Sequence, residues 1–165
     1  MISSICKKYG IENYTINSDG SIDVDGNVNL WDKRLTELPL TFNKVNGYFE
    51  CGGNNLTTLE GSPKWVGGDF SCVGNNLTSL DFSPEYVGGE FYCDNNQLTS
   101  LKGSPKWVGG YFSCEDNNLT NNYCDSEICG YFYTTLKQDG LTKYNYNDWR
   151  KLYKRKMILN DIFDM

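Results

Sequence analysis

Four cysteines recur at one fixed spacing, and they are the residues whose type most readily suggests chemistry. Cys51, Cys72, Cys93 and Cys114 follow one another at intervals of 21 residues, and thiolates can bind zinc or carry redox reactions. However, side chains that repeat on adjacent strands form a line rather than a tetrahedron, and the chain has no CxxC pair and no histidine. We therefore expect no metal and no cofactor, and we interpret the column as reduced core packing.

The remaining residues offer little for catalysis. Without histidine, acid–base chemistry near neutral pH would depend on carboxylates. A carboxylate pair can hydrolyse a glycosidic bond, but it needs a closed site that raises one of the two pKa values. The chain contains neither a G-x-S-x-G motif nor a phosphate-binding P-loop motif. We predict that this protein is not an enzyme.

The four cysteines belong to a tandem repeat that organises most of the chain. A period near 20 residues is typical of a solenoid, in which each copy is stable only when it is stacked on its neighbours. The copies are VNGYFECGGNNLTTLEGSPKW (45–65), VGGDFSCVGNNLTSLDFSPEY (66–86), VGGEFYCDNNQLTSLKGSPKW (87–107), a partial copy from 108, a degenerate copy at 24–44, and ICGYFY from 128 with one residue deleted.

Each copy contains one segment with the alternation of a β-strand. The pattern x-F-x-C-x predicts a short strand whose Phe and Cys point inward, and stacked copies place these strands in one parallel sheet. The Gly pair that precedes each strand predicts a tight turn. An asparagine column predicts a ladder of hydrogen bonds that satisfies the buried turns. Its members are Asn54, Asn75, Asn96 and Asn117.

The middle of the repeat, F-x-C-x-x-N-x-L, resembles the leucine-rich-repeat signature L-x-L-x-x-N-x-L. The longer unit GGxFxCxxNxLTSLxGSP is similar to a family of short leucine-rich-repeat proteins of bacteria and tailed phages. This resemblance covers about residues 5–135. It implies a repeat solenoid of the leucine-rich-repeat type, with a parallel β-sheet on the concave side and irregular turns on the convex side. It also implies a binding role.

Both ends of the solenoid should be capped, because an exposed end coil would leave its core open. We predict an N-terminal cap at 1–23, with a helix at 2–9 that ends at Gly10 and a hairpin after it. Five to six repeats should fill 24–134. A helical cap is expected at 135–165, with its helix from about 148 to 163.

Outward residues of the predicted strands carry the main functional signal. They vary between copies, whereas the inward residues barely change, and they combine acidic and aromatic side chains without any lysine or arginine. Two interpretations remain open: a binding face for a basic partner, and a sheet that is merely solvated. The predicted partner-binding residues are Trp31, Asp32, Tyr48, Glu50, Asp69, Glu90, Tyr92, Asp94, Tyr111, Glu115 and Asp116.

A second aromatic row precedes the valine that opens each copy. Trp65, Tyr86 and Trp107 lie one repeat apart, at an edge of the predicted sheet. Rings at this spacing can stack on one another as a structural ladder, or they can form an aromatic binding edge. Both interpretations stay open from the sequence.

Composition narrows the class of partner. The net charge of −6 argues against direct binding of nucleic acid or an anionic membrane, and no apolar run is long enough to span a membrane. The N-terminus lacks the apolar run of a signal peptide, and seven cysteines fit a reducing compartment, so we expect the cytoplasm of a bacterial host cell.

The sequence therefore predicts a non-enzymatic, phage-encoded protein-binding module. Its acidic concave face would dock on a basic surface of a host protein, and inhibition of a host defence enzyme that handles nucleic acid is one plausible outcome. The alternative is a structural or virion adhesion protein that binds carbohydrate or protein through its aromatic residues. A homodimer is a further alternative, because unpaired sheet edges favour self-association.

Overall fold

The computed structural model of this chain describes residues 1–120, 124, 126–128, 131–134 and 143–145. It shows a parallel-strand β-solenoid of about 4 turns with little helix. Helix α1 (Ile2–Tyr9) precedes the solenoid and ends at Gly10, whose φ of 65° is the left-handed conformation that favours glycine. The predicted solenoid architecture is confirmed at this level.

Two sheets run along the solenoid, and each has seven strands within the described residues. We call them the valine sheet and the phenylalanine sheet, after the inward residues that dominate each. The valine sheet contains, in spatial order, β1 (Tyr14–Ile16), β2 (Ile22–Val24), β4 (Phe42–Val45), β6 (Trp65–Val66), β8 (Tyr86–Val87), β10 (Trp107–Val108) and β12 (Glu127–Ile128). The phenylalanine sheet contains β3 (Val28–Asn29), β5 (Phe49–Glu50), β7 (Phe70–Ser71), β9 (Phe91–Tyr92), β11 (Phe112–Ser113), β13 (Tyr131–Tyr133) and β14 (Lys143–Asn145).

Pairing between coils follows the sequence repeat. Phe49 pairs with Phe70 in parallel register, and Phe70 pairs with Phe91, so that each residue lies beside its counterpart in the next copy. The deletion predicted in the last copy is also present, because Phe112 pairs with Phe132, 20 positions later. Equivalent side chains therefore form straight columns along the solenoid.

The presence of a second sheet corrects the prediction of a single sheet, whereas the rest of each coil, such as residues 51–64, forms irregular turns as predicted. Each of the three coils that contain a Gly pair makes one two-residue strand before the pair and another after it, as in β6 and β7. Both strands bury an apolar residue completely, since Val66 and Phe70 are each 0% exposed. The aromatic–valine pair is thus a strand, and the Gly pair lies at the corner between two sheets.

These Gly pairs are required by the close approach of stacked backbones rather than by a special conformation. A Cβ atom on Gly67 would lie 2.2 Å from the carbonyl oxygen of Asn46, and one on Gly88 would lie 2.3 Å from that of Gly67. Neither glycine has a positive φ. The chain turns at these pairs as predicted, but the requirement for glycine is steric: no side chain fits between the stacked coils at Gly67 and Gly88.

The core is a stack of apolar columns. The rings of Phe49 and Phe70 stack with centroids 5.6 Å apart, and those of Phe70 and Phe91 stack at 5.4 Å. Burying each phenylalanine contributes about 2–3 kcal/mol. The other buried columns contain Val45, Val66, Val87 and Val108; Cys51, Cys72, Cys93 and Cys114; Leu56, Leu77, Leu98 and Leu119; and Leu59, Leu80 and Leu101.

The asparagine column forms the predicted ladder of hydrogen bonds. The Oδ1 atom of Asn75 accepts the N–H of Leu56 at 2.9 Å, and its Nδ2 donates to the carbonyls of Cys51 and Cys72 at 3.1 and 3.0 Å. Asn54, Asn96 and Asn117 bond in the same way. Each asparagine thus joins its own coil to the preceding one and satisfies polar groups that are shielded from water.

Short elements flank the two sheets at opposite ends. At the N-terminal end, β1 and β2 form an antiparallel hairpin, and Cys6 of α1 is buried in the common core. At the C-terminal end, β14 pairs antiparallel with β13. The predicted helix at 148–163 lies outside the described residues. Within the described part of the chain, no helix is long and apolar enough to cross a membrane.

Candidate functional site

The outer face of the phenylalanine sheet carries two columns of side chains. They alternate with the buried phenylalanines, because successive residues of a strand point to opposite faces. The inner column contains Asn29, Glu50, Ser71, Tyr92 and Ser113, and the outer column contains Asn27, Tyr48, Asp69, Glu90 and Tyr111. Four of the predicted partner-binding residues, Tyr48, Glu50, Asp69 and Tyr92, surround a common hollow on this face.

This hollow has a volume of about 360 Å³ and lies over the small residue Ser71. In the inner column, Ser71 lies between the larger side chains of Glu50 and Tyr92 on the two neighbouring strands. In the outer column, Asp69 lies beside it, and Tyr48 closes one side. Ser71 is not among the predicted partner-binding residues, although the order large, small, large in this column would have indicated a depression.

Backbone hydrogen bonds hold the two carboxylates of the hollow in place. The Oε1 atom of Glu50 accepts the N–H of Gly52 at 2.9 Å. The Oδ1 atom of Asp69 accepts the N–H of Glu90, in the next coil, at 2.8 Å. The acidic groups are therefore oriented by the solenoid backbone, and an incoming ligand would meet them already in position.

Negative charge accumulates on this face without compensation. Burial raises the pKa of Glu50, although hydrogen bonds from Gly52 and Ser71 partly oppose that effect. Burial, and then the charge of Asp69, raises the pKa of Glu90. The two columns contain no lysine or arginine. A cation that docked here would favour the charged carboxylates by Coulomb attraction and so oppose the effects that raise these pKa values.

Five of the predicted residues lie in the turn that follows the phenylalanine sheet, and of the first three, Asp94, Trp31 and Glu115, two connect neighbouring coils. Asp94 accepts the hydroxyl of Ser113 at 2.5 Å and the N–H of Glu115 at 2.8 Å. The ring of Trp31 lies so close to Gly52 that a Cβ atom there would be 2.4 Å from it. Burial, with Asp94 and Asp116 nearby, raises the pKa of the third, Glu115.

Asp32 and Asp116 occupy a turn position whose backbone limits the choice of residue. Both have a φ of 51°, in the left-handed region. The equivalent residues of the other coils are Gly53, Gly74 and Asn95, with φ values of 63°, 65° and 52°. Glycine, asparagine and aspartate are the residues that tolerate this conformation. The turn alone therefore accounts for these two residue types.

The aromatic row lies on the outer face of the valine sheet and forms a stack. The rings of Trp65 and Tyr86 are 5.5 Å apart and inclined by 2°, and those of Tyr86 and Trp107 are 6.4 Å apart and inclined by 4°. The Lys44 ammonium lies 4.7 Å from the Trp65 ring centroid. The ring faces are turned towards one another and towards Lys44, and this geometry favours the structural ladder over the binding edge.

The buried cysteines are poorly suited to reaction. The six described cysteines are buried thiols outside any disulfide, and those of Cys51 and Cys93 donate to carbonyls of the next coil at 3.3 Å. Burial raises the pKa of Cys51 and Cys93 well above the usual range, so both stay protonated near neutral pH. Cys124 is buried beside the hydroxyls of Ser104 and Ser126, whereas Cys129 lies outside the described residues. Among the residues that the structure describes, no three potential ligands are grouped to hold a metal ion.

Comparison with known proteins gives no independent indication of function. No protein-family model, curated protein or solved structure significantly matches this chain. The resemblance to short leucine-rich-repeat proteins thus remains a prediction from the repeat residues themselves.

Proposed function

We propose that this chain is a non-enzymatic protein-binding module that docks the outer face of its phenylalanine sheet on a basic surface of another protein. The observation that carries the proposal is the hollow with its surrounding side chains. Glu50 and Asp69 are held in position there by backbone N–H groups, with Tyr48 and Tyr92 beside them. Oriented carboxylates and exposed aromatic rings are suited to recognising cationic side chains.

The distribution of charge between the two faces supports this assignment. Charges around the valine sheet are mixed: Lys44 lies in β4, Lys64 and Lys106 precede β6 and β10, and Glu85 pairs with Lys106. From β3 to β11, the two columns of the phenylalanine sheet carry acidic residues and no basic ones. General solubility would not require such a separation, because mixed charges on both faces would serve equally well. A one-sided acidic face instead steers a basic partner to one side of the solenoid.

The geometry supports binding rather than catalysis. The hollow is an open depression on a sheet, and it lacks the water-excluding enclosure in which a carboxylate would act as a general acid. The backbone around it is fixed by ladders of hydrogen bonds between coils. A rigid surface of this kind loses little conformational entropy when it binds a partner.

The finer assignments rest on the repeat motif. We propose that the solenoid is a variant of the leucine-rich repeat, supported by the F-x-C-x-x-N-x-L pattern and by the asparagine ladder. The same resemblance suggests a phage-encoded protein that acts on a host protein in the bacterial cytoplasm. A surface that normally holds nucleic acid is one natural basic target, so inhibition of a nucleic-acid-handling defence enzyme is a candidate outcome.

The alternative, adhesion to carbohydrate through the aromatic row, is less well supported. Sugars stack on the faces of aromatic rings, whereas Trp65, Tyr86 and Trp107 turn their faces towards one another. Lys44 lies over the ring of Trp65 at one end of this row. Glycan binding that is insensitive to salt and abolished by Trp107→Ala would favour the alternative.

The decisive experiment is affinity capture from bacterial lysate with the wild type and with Asp69→Lys/Glu90→Lys. We expect a protein that is retained by the wild type, released at high salt and lost with this double variant, because screening and charge reversal both remove the attraction. Glu12→Lys/Glu60→Lys is the matched control, since it changes the net charge equally at two exposed positions outside the face.

The outcomes separate the face from a general charge effect. Loss of the captured protein with both double variants would indicate non-specific attraction and contradict the proposal. Equal retention by all three proteins would do so as well. Asp69→Asn/Glu90→Gln serves as a milder variant, because an asparagine at position 69 can still accept the N–H of Glu90.

A further inference from the structure

The hollow over Ser71 has a more specific geometry than the acidic face as a whole. Ser71 is smaller than both of its neighbours in the column, so it leaves space between the strands that carry Glu50 and Tyr92. Tyr48 directly precedes β5 and Tyr92 lies in β9, so the two tyrosines come from the coils on either side of β7. A ligand that entered the space would therefore meet aromatic rings from both sides and carboxylates from two strands.

The two carboxylates are arranged to accept further hydrogen bonds from a ligand. Each accepts a backbone N–H, that of Gly52 for Glu50 and that of Glu90 for Asp69, and Glu50 also accepts a hydrogen bond from the Ser71 side chain. A carboxylate has about four lone-pair sites in all, so acceptor capacity remains on both groups. No lysine or arginine stands in either column to occupy that capacity.

A guanidinium group matches this arrangement better than an ammonium group. It is planar, presents five N–H donors in a fixed fork, stacks on aromatic faces and is weakly hydrated. An ammonium is a compact, strongly hydrated point charge that gains less from flat rings. The volume of about 360 Å³ is also larger than a single ammonium needs and leaves room for an extended side chain.

We propose that the hollow over Ser71 is the anchor site for one arginine side chain of the partner, held between Tyr48 and Tyr92 and paired with Glu50 and Asp69. This inference rests on the proposed function, which it deepens by naming the group that is recognised. The arginine would be the central contact, and the rest of the acidic face would supply steering.

A direct test uses blocked arginine, N-acetyl-arginine methylamide, as the probe and backbone amide NMR as the readout. The N–H groups of Gly52 and Glu90 report on the two carboxylates because they are bonded to them. The N–H of Ser21 is the control reporter, since it is bonded to the Asp19 carboxylate, which is far from the hollow in sequence. We expect saturable shifts at Gly52 and Glu90 with a Kd on the order of 1 mM.

Two further probes define the chemistry. Blocked lysine should bind several-fold more weakly than blocked arginine, and blocked citrulline, the neutral isostere, should cause no saturable shift. Equal binding of arginine and lysine would overturn the preference for a guanidinium. Equal shifts at Ser21 and Gly52, or a response to citrulline like that to arginine, would overturn the site itself.

Two variants test the hollow without a large change in the fold. Ser71→Gln should fill the space, and it introduces a side chain of a size that Glu50 and Tyr92 already have at the equivalent positions. Glu50→Gln should weaken arginine binding at least tenfold, whereas Glu60→Gln, at an exposed turn, should leave it unchanged. Unaltered arginine binding in both Ser71→Gln and Glu50→Gln would overturn the proposal.

Failure of this inference can be distinguished from failure of the proposed function. If a partner is captured through the acidic face and Ser71→Gln retains it fully, the face binds but the arginine anchor is wrong. If blocked arginine binds as described and no protein is captured in a face-dependent manner, the hollow is a guanidinium site and the proposed protein-binding function is wrong.

Discussion

The two outer faces of this solenoid share one backbone repeat but differ in how their side chains vary along it. On the valine sheet, the column that contains Trp65, Tyr86 and Trp107 keeps an aromatic residue in three successive coils, and their rings stack. On the phenylalanine sheet, the column that contains Glu50, Ser71 and Tyr92 changes its chemistry at each coil. In a regular column, each side chain packs on its counterpart in the next coil. In an irregular column, gaps and charged groups remain accessible to a ligand.

This difference offers a criterion for finding function in a repeat protein. A side chain that stacks on its own counterpart in the next coil contributes to stability, as the Phe49–Phe70 pair also does in the core. A side chain that meets an unlike neighbour contributes less and is available for recognition. A face whose residues vary between copies is therefore a candidate binding surface, whereas a face whose residues stay the same contributes mainly to stability.

The largest effect should come from deleting one ring from the regular column. Tyr86 has an aromatic ring on each side, so Tyr86→Ala should lower the free energy of unfolding by about 2–3 kcal/mol. Tyr48→Ala is the matched variant on the irregular face, and it should cost less than about 1 kcal/mol. Urea denaturation followed by circular dichroism measures both values, and equal losses would remove the distinction between the two faces.

Phe82 tests the rule that irregular residues contribute little to stability. It interrupts a position that is glycine in the neighbouring copies, at a corner next to the regular face. Its φ is 68° and its side chain is 62% exposed, whereas the equivalent residues Gly61 and Gly103 have φ values of 90° and 85°. Phe82→Gly should therefore stabilise the protein by about 1 kcal/mol, since a bulky residue is strained in this conformation.

The reverse substitution provides the control for Phe82. A side chain at Gly61 would bring its Cβ to 2.9 Å from the carbonyl oxygen of Leu40, so Gly61→Phe should destabilise the protein. Thermal melting of both variants measures whether each substitution raises or lowers the melting temperature. Destabilisation by Phe82→Gly would show that the exposed ring makes a stabilising contact, and irregularity at this corner would then be structural.

A smaller effect should appear in the pH dependence of stability. The pKa values of Glu50, Glu90 and Glu115 are raised in the folded protein, mainly by burial, so the folded state holds more protons than the unfolded state. These groups make the free energy of unfolding fall as the pH rises above about 4.5 towards neutrality. Asp19 and Glu85, whose pKa values are lowered, contribute in the opposite direction at lower pH.

Glu50→Gln isolates the contribution of the acidic face to this profile. The variant should be slightly more stable than the wild type near neutral pH and should show a flatter pH dependence. Denaturation curves between about pH 4.5 and about pH 7 provide the comparison. A wild-type stability that rises steadily over this range would show that the acidic face carries no net repulsion.

Much of the fold could be predicted because the repeat displays it as columns. Residue types that recur every 21 positions identify the inward phenylalanines, cysteines and leucines. The same recurrence identifies the asparagines that form the hydrogen-bond ladder. The second sheet was harder to predict, because a strand of only two residues, such as Trp65–Val66, is too short to show alternation. Its signal was the aromatic–valine pair between a proline turn and a Gly pair.

The candidate site was only partly predictable for a related reason. The outward position of Glu50 and Asp69 follows from alternation, but the hollow depends on how Ser71 compares with neighbours that are distant in sequence and adjacent in space. The roles of Asp32 and Asp116 were also hidden, since their positive φ values appear only in the structure. Sequence patterns indicate which face a residue occupies, whereas its neighbours decide what it does there.

The straight register of the coils makes whole repeats exchangeable units. If the segments 66–86 and 87–107 were swapped, every inward column would keep its residue types, because both copies supply Val, Phe, Cys, Asn and Leu at the same places. The hollow, however, would move, since Ser71 would then follow Tyr92 instead of preceding it. Duplication or shuffling of such units could therefore generate new binding surfaces while the packing of the interior stays the same. Proteins of this kind could then acquire new partners during evolution without a change of fold.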